Sequence, residues 1–192
     1  MTSGGSAFAH TLYLVAIVVW CALELRQARQ KRPEANVNDR GSRAVLQFSY
    51  TIAIAGALIA KMFAPSASIR FTPLTDWGGL IIVYSGIGLR FWSMQTLGRY
   101  FTFTVQTSKD QPVISAGPYR VVRHPGYAGV LIAFVGFGLF LSNWASLGTL
   151  TAAATGGLVY RITIEERALA RDLGGRYQAY AAHRKRLVPF VW

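Results

Sequence analysis

Between Pro125 and Tyr160 the chain carries no charged residue. Polar clusters stand at both ends of that run, Arg123-His124-Pro125-Gly126-Tyr127 before it and Arg161-Ile162-Thr163-Ile164-Glu165-Glu166 after it. Crossing roughly 30 Å of hydrocarbon takes about 17 to 25 apolar residues as a helix, so the run can cross twice, at the short end of that range, if it turns near Ser142-Asn143. Within lipid the backbone must satisfy its own hydrogen bonds, which leaves helices as the form of each pass. A two-pass hairpin returns the chain to the side it left. Both polar clusters then emerge on one face, and function is expected there.

The remaining sequence extends the same pattern. Of 192 residues, 52% are hydrophobic and only 15% charged, with a mean hydropathy of +0.31, unusual for a soluble domain. Apolar windows at Phe8 to Leu23, Ala44 to Ala60, Leu74 to Leu97, Tyr127 to Leu141 and Trp144 to Tyr160 predict five spanning helices. The fold class expected is therefore all-α, a polytopic membrane protein whose last two helices form a hairpin. Residues 1–192 make a single integral membrane domain, with a three-helix scaffold part at 1–97 and a motif-bearing part at 98–192. After Tyr160 an amphipathic pattern continues to Gly174-Gly175, and a second segment runs from Arg176 to Arg186. Together these predict a cytosolic helical lid over the hairpin mouth. Arg90, charged well inside a window, is expected to snorkel to the interface. Small residues in the fifth window, among them Ala145, Gly148, Ala152, Gly156 and Gly157, predict close helix packing.

A net charge of +12 raises the possibility of nucleic acid, but the basic residues lie in the loops between apolar windows, which speaks against it. Arg26, Arg29, Lys31, Arg32, Arg40 and Arg43 crowd the first loop, and Arg99, Lys109, Arg120 and Arg123 the third. The second has little beyond Lys61 and Arg70. The bias toward basic cytosolic loops puts the N-terminus outside and the C-terminus in the cytosol. The first window lacks the basic start and small-residue cleavage site of a signal peptide, so it reads as a retained helix. Cys21 is the sole cysteine, which leaves no intramolecular disulfide and no cysteine-based zinc site. His10, His124 and His183 are too scattered to suggest a metal.

Five pieces in order, Leu97-Gly98-Arg99-Tyr100-Phe101-Thr102, Gly117-Pro118-Tyr119, the Arg-His-Pro-x-Tyr run, the Glu165-Glu166 pair and Arg184-Lys185-Arg186-Leu187-Val188-Pro189, carry a resemblance. From about Leu97 to Phe190 the chain resembles the isoprenylcysteine carboxyl methyltransferase family, membrane enzymes that methylate a lipid-linked carboxylate with S-adenosylmethionine. Related lipid N-methyltransferases and sterol reductases have similar endings. The resemblance implies S-adenosylmethionine as cofactor, with S-adenosylhomocysteine as product, and a lipophilic or prenylated substrate entering from the membrane. It also implies cofactor contacts at Gln106, Val113, Ile114, Tyr119, His124, Pro125, Tyr127 and Glu165, and substrate contacts at Arg161 with Arg123. The cell membrane of a prokaryote is the expected location, with membrane lipids as partners.

Chemistry fits these positions. A sulfonium, an ammonium, a carboxylate, ribose hydroxyls and an adenine ring call for an acid, several donors and aromatic walls. Glu165 can accept from the ammonium or ribose, Tyr119 and Tyr127 offer ring faces and hydroxyls, and His124 can donate. Pro125 fixes the turn into the fourth helix at no cost in hydrogen bonds. Arg161 and Glu165 lie four apart, hence on one helix face. By spacing alone they are equally a helix-end ion pair worth roughly 0.3 to 0.5 kcal/mol. Arg184 and Arg186 suit anchorage to anionic lipid or contact with substrate. An ionised carboxylate acceptor needs no general base. A phospholipid amine would need one, for which Glu166 is the candidate, and a small thiol or an NADPH-dependent sterol-reductase chemistry are the remaining alternatives.

Overall fold

The computed structural model of the chain describes residues 3–28, 36–70 and 72–192. Arg29, Lys31 and Arg32 of the basic first loop lie outside the described residues. Among the described residues six α-helices follow in order, α1 (Ser3–Ala28), α2 (Ser42–Phe63), α3 (Thr72–Leu97), α4 (Pro125–Phe140), α5 (Trp144–Leu173) and α6 (Gly175–Ala182). By length and composition, α1 over Ala7–Arg26 and α2 are apolar enough to span a membrane, and α4 is a shorter apolar helix. Side chains such as Leu14, Phe48, Met62 and Ile81 stand more than 60% exposed along these helices. Hydrocarbon suits such a surface far better than water does.

The expected hairpin is present and its turn has a local cause. α4 ends at Phe140, and Ser142 takes a positive φ of 51° that reverses the chain. Asn143 then caps α5, its side-chain oxygen accepting from the Ser146 amide at 3.0 Å. The tip is also held from outside. Asn143 Nδ2 donates to Ala64 O at 2.8 Å and the Ile69 amide to Ser142 O at 2.8 Å, which ties the hairpin tip to the connection between α2 and α3.

Helices α1 and α3 run parallel. Tyr13 donates to Asp76 O near the start of α3, and Glu24 pairs with Arg90 near its end. The start of α1 therefore sits toward the hairpin tip, and the end of α5 lies at the opposite pole with the polar clusters. Two apolar clusters fill the bundle, one of Ala53, Val130, Phe134, Leu150 and Leu158 from α2, α4 and α5, the other of Tyr13, Leu80, Val83 and Ile87 from α1 and α3.

Small residues bring helices together, most closely between α3 and α4 and less so along the fifth window, where close packing is expected. On α3 and α4, a Cβ added to Gly86 would stand 2.5 Å from the Ala133 amide and from Gly129 O, and one on Gly136 would stand 2.6 Å from Gly79 O. Backbones touch there with no room for a methyl group. On α5 only part of the predicted stripe packs in this way. Gly157 meets Ser49 of α2, whereas Gly148 and Gly156 face open space.

Arg90 does not snorkel. It is 7% exposed and forms an ion pair with Glu24, donates to Gly126 O at 3.2 Å, and lies over the Trp20 and Phe101 rings. Glu24 falls just outside the first apolar window, and this hidden counter-charge turns an interfacial arginine into a buried clamp between α1, α3 and the start of α4. A second departure from the expected all-α reading is small. Asn36–Val37 (β1) and Gln106–Thr107 (β2) form a two-residue antiparallel ladder with Val37 opposite Gln106, pinning the first loop to the third. Asp172 near the end of α5 accepts from Asn38 and Thr107 and fastens both loops to the helix.

Candidate functional site

The two polar clusters meet. His124 caps the start of α4 and Glu166 lies past the apolar part of α5, yet His124 Nε2 stands 3.1 Å from Glu166 Oε1. Since an ionised carboxylate can only accept, Nε2 is the protonated nitrogen of the imidazole. Arg123 Nη1 approaches the same oxygen at 2.9 Å, and Arg186 Nε donates to Glu166 Oε2 at 2.8 Å. Burial pushes the Glu166 carboxyl upward, but hydrogen bonds from His124 and Arg186, with the charges of His124 and Arg123, hold its pKa at about 2. A group engaged at once by His124, Arg123 and Arg186 is a hub.

One helical position earlier, the second acid faces a different network. Tyr127 donates its hydroxyl to Glu165 Oε2 at 2.6 Å and accepts from Arg161 Nε at 3.0 Å. Arg161 and Glu165 are thus joined through a phenol, and the simple helix-end ion pair allowed by their spacing is not what forms. The Arg161 guanidinium is 2% exposed and further engaged, Nη1 with Asp39 and with Ser42 Oγ at 2.6 Å, Nη2 with Phe103 O at 2.7 Å. Asp39 in turn accepts from the Arg43 and Val105 amides, both at 3.1 Å. Burial raises the Asp39 carboxyl pKa, and these amides with the Arg161 charge bring it below the usual value.

These networks wall two adjoining cavities. The first, about 100 Å³, is lined by Gln106, Val113, Ile114, Tyr119, Arg123, His124, Tyr127, Arg161 and Glu165, nine of the ten positions expected from sequence. Pro125 is the tenth. It is fully buried at the first position of α4 behind that wall, where its fixed φ starts the helix. The second cavity, about 350 Å³, lies between α1, α2 and the 101–103 segment, lined by Trp20, Glu24, Arg43, Leu46, Gln47, Tyr50 and Arg90. Phe101, Thr102, Tyr127 and Arg161 belong to both linings. Arg161 and Tyr127 therefore form a shared partition.

The first cavity offers an acid, aromatic walls and spare hydrogen-bonding atoms. Glu165 supplies negative charge with acceptor capacity beyond its one bond to Tyr127, and the rings of Tyr119, Tyr127, Tyr177 and Tyr180 supply aromatic wall. Gln106 Oε1 is buried with no hydrogen-bond partner. The Tyr177 hydroxyl and Arg123 Nε are likewise buried without a hydrogen-bond partner. Buried polar atoms left in this state are costly unless something else meets them.

Sequence reasoning missed Asp39, Ser42, Tyr177, Tyr180 and the Arg186 contact to Glu166. An acid beside a helix start in an otherwise basic loop was the available signal for Asp39. Tyr177 and Tyr180 lie on α6, where the predicted lid segment marked the region and not the residues. Tyr180 donates to Tyr119 O at 2.9 Å, so α6 rests directly on the 117–120 turn.

Comparison with known proteins bears on this arrangement. A profile of the isoprenylcysteine carboxyl methyltransferase (ICMT) family matches residues 79–171, which hold α4 and most of α5. A probable protein-S-isoprenylcysteine O-methyltransferase of Oryza sativa subsp. indica is 28% identical over 187 residues, covering 94% of this chain and 95% of the relative. Protein-S-isoprenylcysteine O-methyltransferase B of Arabidopsis thaliana is 32% identical over 115 residues, 59% of this chain and 58% of that protein. An uncharacterised protein of Bacillus subtilis (strain 168), YpbQ, is 21% identical over 159 residues, 82% of this chain and 95% of its own length. Among solved structures, the eukaryotic intramembrane Ras methyltransferase ICMT superposes with a TM-score of 0.62 at 26% identity, over 76% of this chain and 52% of that one. The chain thus spans about half of the solved enzyme. With the profile matching the region around the hairpin, a relative aligned over nearly its whole length and a shared fold, the chain is similar to the isoprenylcysteine carboxyl methyltransferase family.

Proposed function

We propose that the chain is an S-adenosylmethionine-dependent methyltransferase acting on a lipophilic carboxylate, an isoprenylcysteine-like acceptor. One observation carries this reading. Two cavities share a partition of Arg161 and Tyr127, one lined by Glu165, aromatic rings and unsatisfied polar atoms, the other by apolar side chains with Arg43 and the Arg90–Glu24 pair.

In this reading Glu165, His124, Tyr119 and Gln106 hold the cofactor, with Val113 and Ile114 as apolar wall. When bound, S-adenosylmethionine supplies an electrophilic methyl group on a sulfonium. The residues of the chain do the rest. The second cavity takes the acceptor, its greasy tail entering laterally past Leu25 and Leu46. Arg161 at the partition orients the carboxylate, and Arg43 stands in the same cavity wall as a further cation. An acceptor carboxylate is already ionised at neutral pH, so no base is needed. Positioning and exclusion of water are what the protein contributes. Asp39 already neutralises Arg161, which keeps the acceptor from being gripped so tightly that its oxygen loses nucleophilicity.

The first cavity is smaller than the roughly 300–1,000 Å³ usual for ligand pockets. In this reading cofactor entry involves movement of the 102–114 loop or of α6, and α6 acts as a lid. On the same reading the chain makes five membrane passes with an outer N-terminus and a cytosolic C-terminus, a topology that the basic first and third loops support and that would set the site beside the cytosol. The cell membrane of a prokaryote, expected from the sequence, is not supported by the relatives, since the plant proteins match at higher identity than the Bacillus subtilis one.

The test is methyl transfer from radiolabelled S-adenosylmethionine by the purified protein in lipid nanodiscs, offered a prenylcysteine and phosphatidylethanolamine in turn. A base-labile methyl ester on the prenylcysteine is expected. Stable N-methylation of the phospholipid without ester formation would overturn the choice of acceptor.

A further inference from the structure

The chain ends in a structured turn that the proposed reaction does not use. Leu187 is buried, and the Leu187 and Val188 amides both donate to Trp192 O, at 2.7 and 2.9 Å, closing residues 187–192 on themselves. Phe190 stands at the apex with a φ of 66°, a conformation few non-glycine residues adopt, and is 95% exposed. Val191 beside it is 73% exposed. Outside the spanning helices, two neighbouring apolar side chains so fully presented need an apolar surrounding.

The position of this turn identifies that surrounding. The Arg123 amide donates to Lys185 O at 2.8 Å and the His124 amide to Arg186 O at 2.9 Å, so the tail is strapped to the residues that open α4. The apolar part of α4 begins at Tyr127, about 5 Å further along the helix axis at 1.5 Å per residue. The headgroup layer on each side of the hydrocarbon is roughly 5–8 Å deep. The point where the tail is strapped to α4 is therefore within reach of that layer. The tail's exposed cations are Lys185 and, on the segment it pairs with, Arg120, next to the 58% exposed Val121. Apolar tip and cationic flank together match an anionic leaflet.

The same strand reaches the site. Arg186 stacks on the Trp192 ring with its guanidinium 5.2 Å from the centroid and donates to Glu166, the hub that also engages His124 and Arg123. We propose that the 185–192 turn is a membrane foot, with Phe190 and Val191 inserted among the headgroups of an anionic leaflet, and that this docking braces Arg186 against Glu166 and so orders the first cavity. The docking stands on the tail alone, and only the coupling rests on the proposed cofactor site.

Two readouts separate them. For the first, Phe190→Cys on a Cys21→Ser background is labelled with bimane and placed in nanodiscs holding a single copy, with or without about a quarter phosphatidylglycerol in phosphatidylcholine. Spin-labelled lipid is expected to quench the label strongly, and more so with the anionic lipid. A label that stays unquenched and open to aqueous iodide in both overturns the docking and leaves the tip to a second copy or a soluble partner. For the second, S-adenosylhomocysteine is titrated calorimetrically into wild type and Phe190→Ser/Val191→Ser. Wild type is expected to bind about five- to tenfold tighter in the anionic discs and the variant equally in both. Equal lipid dependence in the two proteins overturns the coupling. Absence of binding by every form, with quenching intact, counts against the cofactor site and upholds the foot.

Discussion

At the scale of single residues, Tyr127 carries more than its type suggests. Its hydroxyl is the one link between Arg161 and Glu165, and its ring stacks on His124 with centroids 5.7 Å apart. Tyr127→Phe keeps the ring and removes the link, leaving Arg161 Nε and Glu165 Oε2 each short of a partner in a buried setting. Unsatisfied groups of this kind cost about 1–3 kcal/mol. S-adenosylhomocysteine affinity is expected to fall about tenfold, which corresponds to about 1.4 kcal/mol, with a lower melting temperature in detergent. Unchanged affinity and melting in a calorimetric titration would show that Glu165 needs no such support. The residue types at His124, Tyr127 and Glu165 were legible in the sequence because polar groups stand out against apolar windows. Their partners were not. Asp39 and Arg161 are 122 positions apart, and no local pattern pairs them.

Helices were the most legible level, since an uncharged run and a turn signal at Ser142-Asn143 define a hairpin without knowledge of its neighbours. Which helices it packs against is a matter of surface shape. The stripe on α5 looked like the close interface, yet the tightest approach is between α3 and α4, where glycines face glycines across the gap. Small residues mark the capacity for close packing, and only a complementary partner realises it. Gly86→Ala tests this. A methyl group there meets the Gly129 carbonyl and the Ala133 amide, backbone atoms that cannot rotate away, and overpacking of this sort costs about 1–3 kcal/mol. Gly88→Ala, two residues on with nothing within 4 Å, is the control. Thermal unfolding in detergent should show Gly86→Ala several degrees lower and Gly88→Ala unchanged or slightly higher. Equal melting of both would mean that the two helices separate at little cost. Arg90 teaches the converse, because a lone arginine in a window reads as interfacial until the matching acid on another helix is known.

For the molecule as a whole, Glu166 joins three parts that are distant in sequence, the start of α4, the far end of α5 and the C-terminal tail. Its folded pKa of about 2 lies below the ordinary 4.5. A depressed carboxyl contributes stability that is fully present above pH 4.5 and lost as pH falls toward 2. At 1.36 kcal/mol per unit that contribution is on the order of 3 kcal/mol. Glu166→Gln abolishes the titration and weakens the pairing with Arg123 and Arg186 together. The variant should therefore melt well below wild type at pH 7, and the gap should narrow steadily below about pH 4.5 as the wild-type carboxyl takes up a proton. Melting curves of both proteins across pH 7 to 3 supply the comparison. A gap that stays constant over that range would mean the hub is held by packing alone, and that the tail and the hairpin mouth are joined by shape and not by charge.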